Sequence, residues 1–297
     1  MTATWVLRRH WTMESATVSS VSHEQESDLV LAIRELNSTV GLKSVKTEIG
    51  RIINLAKVDS MRRRRGIKTA DMSFHMVFRG NSGTGKTTVA RLLGRIFKGL
   101  GLISKGHLVE VDRSDLCADY VGQTATKTKK VIQSALGGVL FIDEAYSLNV
   151  RTSSGTQDYG KEAVSTLLKE MEDHRDDLIV IVAGYTDLMY DFISMNPGLD
   201  SRFRFKIEFE DYSSEEKAMI FWTFCNRNGF DITKDAFARI QGLFVSNSPC
   251  EDRTFSNARL ARNLFENAVM NQAQRLSGID NPSDSDLTVI VREDLSA

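Results

Sequence analysis

The first residues that could do chemistry lie at 80–87, where every fixed position of the phosphate-binding pattern GxxxxGK[ST] is filled. Lys86 supplies a point charge for the β and γ phosphates of a nucleotide, and the Thr87 hydroxyl is a magnesium ligand. Three glycines allow the backbone to curl so that successive N–H groups point at an anion. These glycines are Gly80, Gly83 and Gly85. Because the pattern lies between an apolar run at 74–78 and a helical pattern, it predicts a site for ATP or GTP.

Two adjacent acids, Asp143 and Glu144, end the apolar run 139–142 and form a Walker B pattern. Asp143 is suited to anchor a magnesium ion, and Glu144 to orient and deprotonate the attacking water. The alternative is a strand whose end merely faces solvent. The acid pair favours an ATPase over a protein that only binds nucleotide.

A third candidate is an arginine, because attack on the γ phosphate develops charge that a neighbouring subunit often neutralises with a guanidinium. The loop 196–203 precedes the last apolar run and is suited to presenting such a group. We expect Arg202 to be this residue, with Arg204 as the second candidate. The alternative is that Arg202 caps the strand or pairs with Asp200.

Five apolar runs predict the strands that position these residues, and helical spacing separates the runs. Two runs are almost continuously apolar, as in parallel strands that helices cover on both faces, whereas the last alternates and suits a sheet edge. The fold class predicted is α/β, with a doubly wound, five-stranded parallel sheet. The runs are 74–78, 107–111, 139–142, 178–182 and 205–209.

After residue 210 the pattern contains helices alone. Ser213 and Glu216 have the spacing of a helix capping box, and three helical stretches follow. The sequence therefore predicts a disordered tail at 1–27, a nucleotide-binding α/β domain at 28–210 and a small all-helical domain at 211–297. The three helical stretches are 214–227, 233–245 and 255–276.

Composition narrows the function classes. The 297 residues carry a formal net charge of -1, which gives no overall attraction to nucleic acid or to an anionic membrane. We interpret the basic run 62–65 as the solvated end of a helix rather than a nucleic-acid patch. Three scattered cysteines without metal-ligand spacing favour reduced thiols and a cytoplasmic location, and no apolar window predicts membrane insertion.

Together these motifs resemble those of the AAA+ ATPases, and in detail those of the CbbX/CfxQ and stage V sporulation protein K group. The similarity extends from residue 40 to about residue 275 and includes a C-terminal lid with an Asn-Ala-Arg segment. The matching stretches are 40–46, 75–87, 105–109, 120–124, 138–146, 158–163, 183–185, 196–203 and 257–259.

The resemblance implies several further roles. Arg259 matches the sensor 2 arginine, which reaches the γ phosphate from the lid. Gly41 and Leu42 match the segment that lies against adenine. The sensor 1 position, usually Asn, is Tyr185 here, with Thr186 after it. The expected catalytic residues are Lys86, Glu144, Arg202 and Arg259, and the expected magnesium ligands are Thr87 and Asp143. The expected ATP-binding residues are Gly41, Leu42, Gly80, Asn81, Ser82, Gly83, Thr84, Gly85, Lys86, Thr87, Thr88, Asp143, Tyr185 and Arg259.

The trio Tyr120, Val121 and Gly122 matches the central pore loop that grips an extended peptide in related hexamers. An aromatic ring beside a β-branched residue can hold unfolded chain without reading its sequence, and glycine lets the loop pivot. The alternative is that Tyr120 packs into the core beside Leu116. The polar stretch 149–157 is a second candidate for a pore-facing loop.

The resemblance implies a magnesium-dependent ATPase that forms a homo-oligomeric ring, expected to be a hexamer, and pulls an unidentified client protein through its pore. One alternative is an ATP-controlled assembly switch or scaffold without threading. Another is a nucleic-acid loader, which the net charge disfavours. Within the group, one branch acts on the carbon-fixing carboxylase and another serves sporulation or secretion. The loop 196–203 is more similar to the second branch than to a rubisco activase.

Overall fold

A computed structural model describes residues 28–68, 72–118, 120, 122–149, 159–246 and 257–295. The predicted disordered tail at 1–27, the pore-loop residue Val121 and most of the polar stretch 149–157 lie outside these ranges. Within the described parts of the chain, no helix has both the length and the apolar character that crossing a bilayer requires.

Up to residue 209, strands and helices alternate in the predicted order. The elements are α1 (Asp28–Ser38), α2 (Lys43–Arg64), β1 (Met76–Gly80), α3 (Lys86–Gly99), β2 (Leu108–Val111), α4 (Arg113–Leu116), α5 (Thr124–Ala135), β3 (Val139–Ile142), a 3-10 turn (Ala145–Asn149), α6 (Tyr159–Asp173), β4 (Ile179–Gly184), α7 (Thr186–Ser194), α8 (Pro197–Arg202) and β5 (Phe205–Phe209).

The five strands form one parallel sheet in the order β2-β3-β4-β1-β5. Strands β3 and β4 are buried along their whole length, because α1 to α3 cover one face of the sheet and α5 to α8 cover the other. Strand β5 lies at an edge and alternates in burial, as its sequence predicts. The predicted doubly wound α/β class is therefore confirmed.

The strand order brings the predicted site residues together. Strands β3, β4 and β1 are neighbours in the sheet, and the chain leaves their carboxyl ends at the Walker B acids, at Tyr185 and at the phosphate loop. Ligands of open parallel sheets bind at this edge.

The predicted helical domain follows. Its first helix begins with the predicted capping box: the Ser213 hydroxyl accepts from the Glu216 N–H at 3.2 Å, and the Glu216 carboxylate accepts from the Ser213 N–H at 2.9 Å. The domain also contains a parallel pair of two-residue strands, too short to leave a pattern in the sequence. Its elements are α9 (Ser214–Arg227), β6 (Asp231–Ile232), α10 (Lys234–Ser246), α11 (Asn257–Leu276), α12 (Asp284–Thr288), β7 (Val289–Ile290) and a 3-10 turn (Arg292–Leu295).

Candidate functional site

The phosphate loop connects β1 to α3, and two of its glycines are required by geometry. Gly80 has a φ of 147°, and a Cβ atom at this residue would lie 2.3 Å from the Phe209 backbone oxygen. Gly85 precedes α3 with a φ of 95°. Residues with side chains rarely adopt either conformation, so the close approach of β5 and the start of α3 both depend on glycine.

The loop lines a cavity of about 480 Å³ between the α/β domain and the helical domain. This volume is within the range of small-molecule sites. The α/β domain contributes the phosphate loop, the two acids after β3 and the end of β4, and the helical domain contributes side chains of α9 and α11. The lining residues are Gly80, Ser82, Gly83, Thr84, Gly85, Lys86, Thr87, Thr88, Asp143, Glu144, Gly184, Tyr185, Phe224, Arg227, Ala258, Arg259 and Arg262.

The Lys86 ammonium donates hydrogen bonds to the backbone oxygens of Gly80 and Asn81, both at 2.8 Å. Burial lowers the pKa of Lys86, the Asp143 carboxylate opposes this shift, and the Arg259 guanidinium adds to it. A phosphate in the cavity would favour the charged ammonium, because an opposite charge offsets desolvation. The geometry thus suits the predicted role of Lys86.

Thr87 and Asp143 both line the cavity, and their hydroxyl and carboxylate oxygens are donors that Mg²⁺ prefers. The Thr87 hydroxyl also lies 3.4 Å from the Glu110 carboxylate, a neighbour that no sequence motif indicated. In the part of the chain that the structure describes, no group of three His, Cys, Asp or Glu residues could hold a metal ion. Proteins bind Mg²⁺ through one or two side chains together with phosphates and water.

Glu144, the predicted general base, has a strained backbone. Its φ is 47°, in the left-handed region that non-glycine residues seldom occupy. The Glu144 backbone N–H donates to the Asp143 carboxylate at 3.0 Å. Backbone strain of this kind is concentrated at active sites.

Three arginines of the helical domain line the cavity, of which the sequence predicted only Arg259. Arg262 follows one helical turn later on the same face of α11, and its guanidinium lies 5.4 Å from the centre of the Phe224 ring. Arg227 comes from the last turn of α9. The spacing of Arg259 and Arg262 was the available signal for the second arginine, whereas only tertiary packing places Arg227.

Asn257, the first residue of α11, is fully buried and joins three segments of the chain. Its amide nitrogen donates to the Ser82 backbone oxygen at 3.2 Å and to the Asp211 carboxylate at 2.7 Å. Its side-chain oxygen accepts from the Tyr212 backbone N–H at 2.9 Å. The φ of Asn257 is 62°, a left-handed conformation that Asn tolerates better than most residues. We call this set of contacts the Asn257 junction.

Two further hydrogen bonds connect the phosphate loop to the same place. The Ala258 N–H donates to the Gly83 backbone oxygen at 3.1 Å. The Asn81 amide donates to the two Asp211 carboxylate oxygens at 3.1 and 2.9 Å. The outer side of the loop is therefore bonded to the link between the domains and to α11.

Tyr212 extends the junction toward the segment predicted to lie against adenine. Its hydroxyl donates to the Thr84 backbone oxygen at 3.1 Å, and burial, followed by the Glu216 carboxylate, raises the pKa of Tyr212 to about 12. A Cβ atom on Gly41 would lie 3.1 Å from the Tyr212 ring, and Leu42 is buried with a φ of 57°. Gly41 and Leu42 thus lie beside the cavity rather than among its lining residues.

At the end of β4, Tyr185 lines the cavity, whereas the next side chain does not. The Thr186 hydroxyl instead donates to the Glu208 carboxylate on β5 at 2.5 Å. Of the two polar groups at the expected sensor 1 position, Tyr185 is therefore the one that faces the predicted nucleotide.

Arg202 lies outside this cavity and lines a separate recess of about 270 Å³. Its guanidinium is 3.4 Å from the Glu172 carboxylate, whereas Asp200 pairs with Lys206 at 2.5 Å. The structure therefore contradicts the alternative in which Arg202 pairs with Asp200. His75 lines the same recess, where burial, followed by the Arg202 charge, lowers the pKa of His75 to about 4 and leaves it neutral at pH 7.

Tyr120 is 71% exposed, which contradicts the alternative that it packs into the core beside Leu116. The loop before it is attached to α5. The Lys127 ammonium donates to the Ser114 and Cys117 backbone oxygens at 2.6 and 2.9 Å. Gly122 has a φ of 78° and open space around it, as a bend in an exposed loop requires.

Comparison with known proteins agrees with this geometry. The model of the ATPase family associated with various cellular activities (AAA) matches residues 76–211, and the AAA lid domain model matches residues 213–297. The chain belongs to the AAA ATPase family. It is thus an ATP-binding ATPase in which an α/β domain is followed by a helical lid.

Three relatives are each 42% identical to this AAA ATPase. Stage V sporulation protein K of Bacillus subtilis aligns over 89% of this chain and 81% of its own length. The chloroplastic ribulose bisphosphate carboxylase/oxygenase activase of Cyanidioschyzon merolae aligns over 86% of this chain and 87% of its own. Protein CbbX of Cereibacter sphaeroides aligns over 87% and 83%.

Proposed function

We propose that this AAA ATPase is an ATP-driven protein remodeller that acts as a homo-oligomeric ring, with a hexamer as the expected form. The observation that carries the proposal is the position of Arg202. It lies in a recess apart from the cavity of its own chain, and its nearest acidic partner is Glu172 at 3.4 Å. A partly exposed guanidinium at that distance from a carboxylate is held only weakly. It is therefore available to a phosphate of a neighbouring subunit.

Within one subunit, the residues of the cavity divide the work of hydrolysis. Lys86 and the loop N–H groups bind the phosphates, and Glu144 takes a proton from the attacking water. Thr87 and Asp143 would hold Mg²⁺, which when bound neutralises phosphate charge. Arg259 approaches from the lid, so that lid position and phosphate contact are linked.

The exposed Tyr120 supports a threading role. Its loop is fixed at the base by α5, where Lys127 and Thr128 bond the backbone, with Thr128 donating to the Leu116 oxygen at 3.0 Å. The aromatic tip is left outside the core. A rigid base with an exposed ring can transmit a helix movement to a bound peptide. An assembly switch without threading would not need an exposed Tyr120 side chain, so this residue favours the remodeller.

Two groups of relatives suggest different client proteins. One relative is named for activating a carboxylase and another for sporulation, and both are 42% identical to this chain. Loop 196–203 favours the sporulation or secretion branch over a rubisco-activase-type remodeller. The nucleic-acid alternative is weakened because Arg63 of the basic run pairs with Asp59 at 2.8 Å and lies 3.4 Å from Asp176. We propose a cytoplasmic location from the cysteine pattern.

Two variants test the shared site. Glu144→Gln should bind ATP and accumulate an assembled form while hydrolysis falls about 10²- to 10⁴-fold. Arg202→Ala should bind ATP normally yet lose about 10³-fold in kcat. Nucleotide binding, steady-state hydrolysis and sedimentation in ATP measure these effects. Arg204→Ala identifies which arginine acts, and Arg239→Ala, on the exposed side of α10, is the control.

Mixing experiments decide whether the site is shared. Wild-type protein titrated with Arg202→Ala should lose activity more steeply than the wild-type fraction falls, because each variant disables a neighbouring site. A strictly proportional loss, or full hydrolysis by dilute single subunits, would overturn the ring. In that case Arg202 acts within its own chain or not at all.

A further inference from the structure

The lid side of the cavity carries more positive charge than the role of Arg259 requires. Arg227 and Arg262, which have no assigned role, line the cavity together with Arg259. With the lysine of the phosphate loop, four basic and two acidic side chains line this cavity, although the whole chain has a formal net charge of -1. The positive charge is therefore concentrated where the domains meet, and such a cleft attracts anions.

Aromatic rings hold Arg262 in place. Its guanidinium carbon lies 5.4 Å from the centre of the Phe224 ring on α9. The Phe224 ring also stacks on Phe265, with ring centres 6.2 Å apart and 23° between the ring planes. Because Arg262 and Phe265 are one helical turn apart on α11, one helix contacts the Phe224 ring at two positions. A guanidinium in contact with a ring face keeps its N–H donors available for an anion.

No carboxylate neutralises this guanidinium. Among the residues that the structure describes, neither Arg227 nor Arg262 forms an ion pair with an acidic side chain. Most exposed arginines are simply solvated, and Arg239 on α10 is an example in the same domain. Arg262 differs from Arg239 because it lines a cavity that the phosphate loop also lines. Its charge thus faces the predicted position of the nucleotide phosphates.

The start of α11 determines how far each lid arginine lies from the phosphate loop. The Ala258 N–H donates to the Gly83 backbone oxygen at 3.1 Å, so the helix begins in contact with the loop. An α-helix rises about 1.5 Å per residue, which places Arg262 about 4.5 Å farther along the axis than Arg259. Two guanidiniums at different distances from the loop can bind different oxygens of one triphosphate.

We propose that Arg262 is a second lid residue that binds the terminal phosphate of ATP, and that with Arg259 it allows the lid to distinguish ATP from ADP. Phe224 is then a positioning residue, because it acts through Arg262. Loss of the γ phosphate removes the anion that both guanidiniums bind, which favours an open lid. The inference rests on the proposed function only in taking this cavity as the ATP site, and it does not require a ring.

The test is Arg262→Gln, which removes the charge and keeps a polar side chain. We expect the dissociation constant of the non-hydrolysable ATP analogue AMP-PNP to rise about 10-fold, because a charge-assisted hydrogen bond to phosphate is lost. The dissociation constant of ADP should stay within about twofold. Calorimetric titration measures both constants. Arg239→Gln is the matched control and should change neither, since Arg239 is exposed outside the cavity.

Two further variants separate the charge of Arg262 from its position. Arg262→Lys keeps the charge but loses the planar fork, so its affinity for AMP-PNP should fall between those of wild type and Arg262→Gln. Phe224→Leu should reproduce part of the loss, and it should add less than about twofold in the Arg262→Gln background. Independent, multiplying losses would overturn the positioning role of Phe224. Chemical denaturation of each variant shows whether the lid remains folded.

Unchanged AMP-PNP binding by Arg262→Gln would overturn the proposal, as would equal losses for AMP-PNP and ADP or a larger loss in Arg227→Gln. The ATP site itself fails separately. Lys86→Ala should lose both nucleotides, and wild-type binding of both by this variant would exclude the cavity as the ATP site. If Lys86→Ala loses binding while Arg262→Gln keeps it, the site stands and the role of Arg262 falls.

Discussion

Two glycine-containing loops of this ATPase are held in opposite ways. In the phosphate loop, backbone oxygens of successive residues are bonded to Lys86, Tyr212 and Asn257, which come from three different parts of the chain. In the Tyr120 loop, Lys127 bonds the base, the Tyr120 backbone oxygen accepts from the Gln123 N–H at 3.4 Å, and the Tyr120 side chain is 71% exposed. The phosphate loop holds its anion-binding groups in fixed positions, whereas the Tyr120 loop exposes an aromatic ring to solvent.

The two loops are also connected. The Arg113 guanidinium, at the base of the Tyr120 loop, donates to the Ser147 backbone oxygen, and the Ser147 N–H donates to the Glu144 oxygen at 2.8 Å. A change at Glu144 thus has a bonded route to the base of the exposed loop. Both loops contain glycine for different reasons. At Gly80 a Cβ atom would clash with Phe209, whereas at Gly122 no other atom is near enough to clash.

The largest effect should come from breaking the fixed loop at its most crowded residue. Gly80→Ala places a Cβ atom 2.3 Å from the Phe209 oxygen at a φ of 147°. We expect a loss of about 2–4 kcal/mol in the free energy of unfolding and loss of ATP binding. Chemical denaturation and nucleotide titration measure both. Gly50→Ala, in α2 with open space around it, should instead stabilise by about 0.5–1 kcal/mol.

A smaller effect is expected when the Asn257 junction is opened without changing its backbone. Asn257→Gly accepts the φ of 62° but removes three hydrogen bonds. It should cost about 1–3 kcal/mol and raise the KM for ATP, because one of the bonds that join the lid to the phosphate loop is lost. Asn257→Asp should cost more, since it loses both donor bonds and faces the Asp211 carboxylate. Wild-type stability of both variants would show that the amide hydrogen bonds contribute nothing measurable.

The smallest effect on folding should come from the exposed loop. Tyr120→Ala should change the free energy of unfolding by less than about 0.5 kcal/mol and leave basal ATP hydrolysis intact. Client retention by the Glu144→Gln form should nevertheless be lost. Leu116→Ala, which empties a buried site four residues away, should cost about 2–5 kcal/mol. Unchanged client retention by Tyr120→Ala would favour the assembly switch over threading.

The sequence was sufficient where function depends on short contiguous patterns. The phosphate loop and the Asp143–Glu144 pair are each read from adjacent residues, and the apolar runs located all five strands to within two residues. The doubly wound order followed because continuous apolar runs require cover on both faces.

Contacts between distant segments could not be predicted in this way. Asn257 meets Ser82 across 175 positions, and no local periodicity encodes such a bond. Tyr146 looked like an ordinary residue after the Walker B acids, because its contact with Gly184 depends on how the turn packs on β4. The exposure of Tyr120 likewise depends on α5 fixing the loop base, which composition does not reveal.

The left-handed backbone of Asn257 has a consequence for how this protein can diverge over generations. Asn, Asp and Gly adopt that conformation more readily than other residues, so we expect few other residue types at position 257 in related proteins. Lineages that exchange Asn for Gly should carry a substitution at Asp211 as well, because its carboxylate then loses one of its amide donors. Correlated substitution at positions 211 and 257 would therefore indicate that the Asn257 junction is present in homologues of unknown structure.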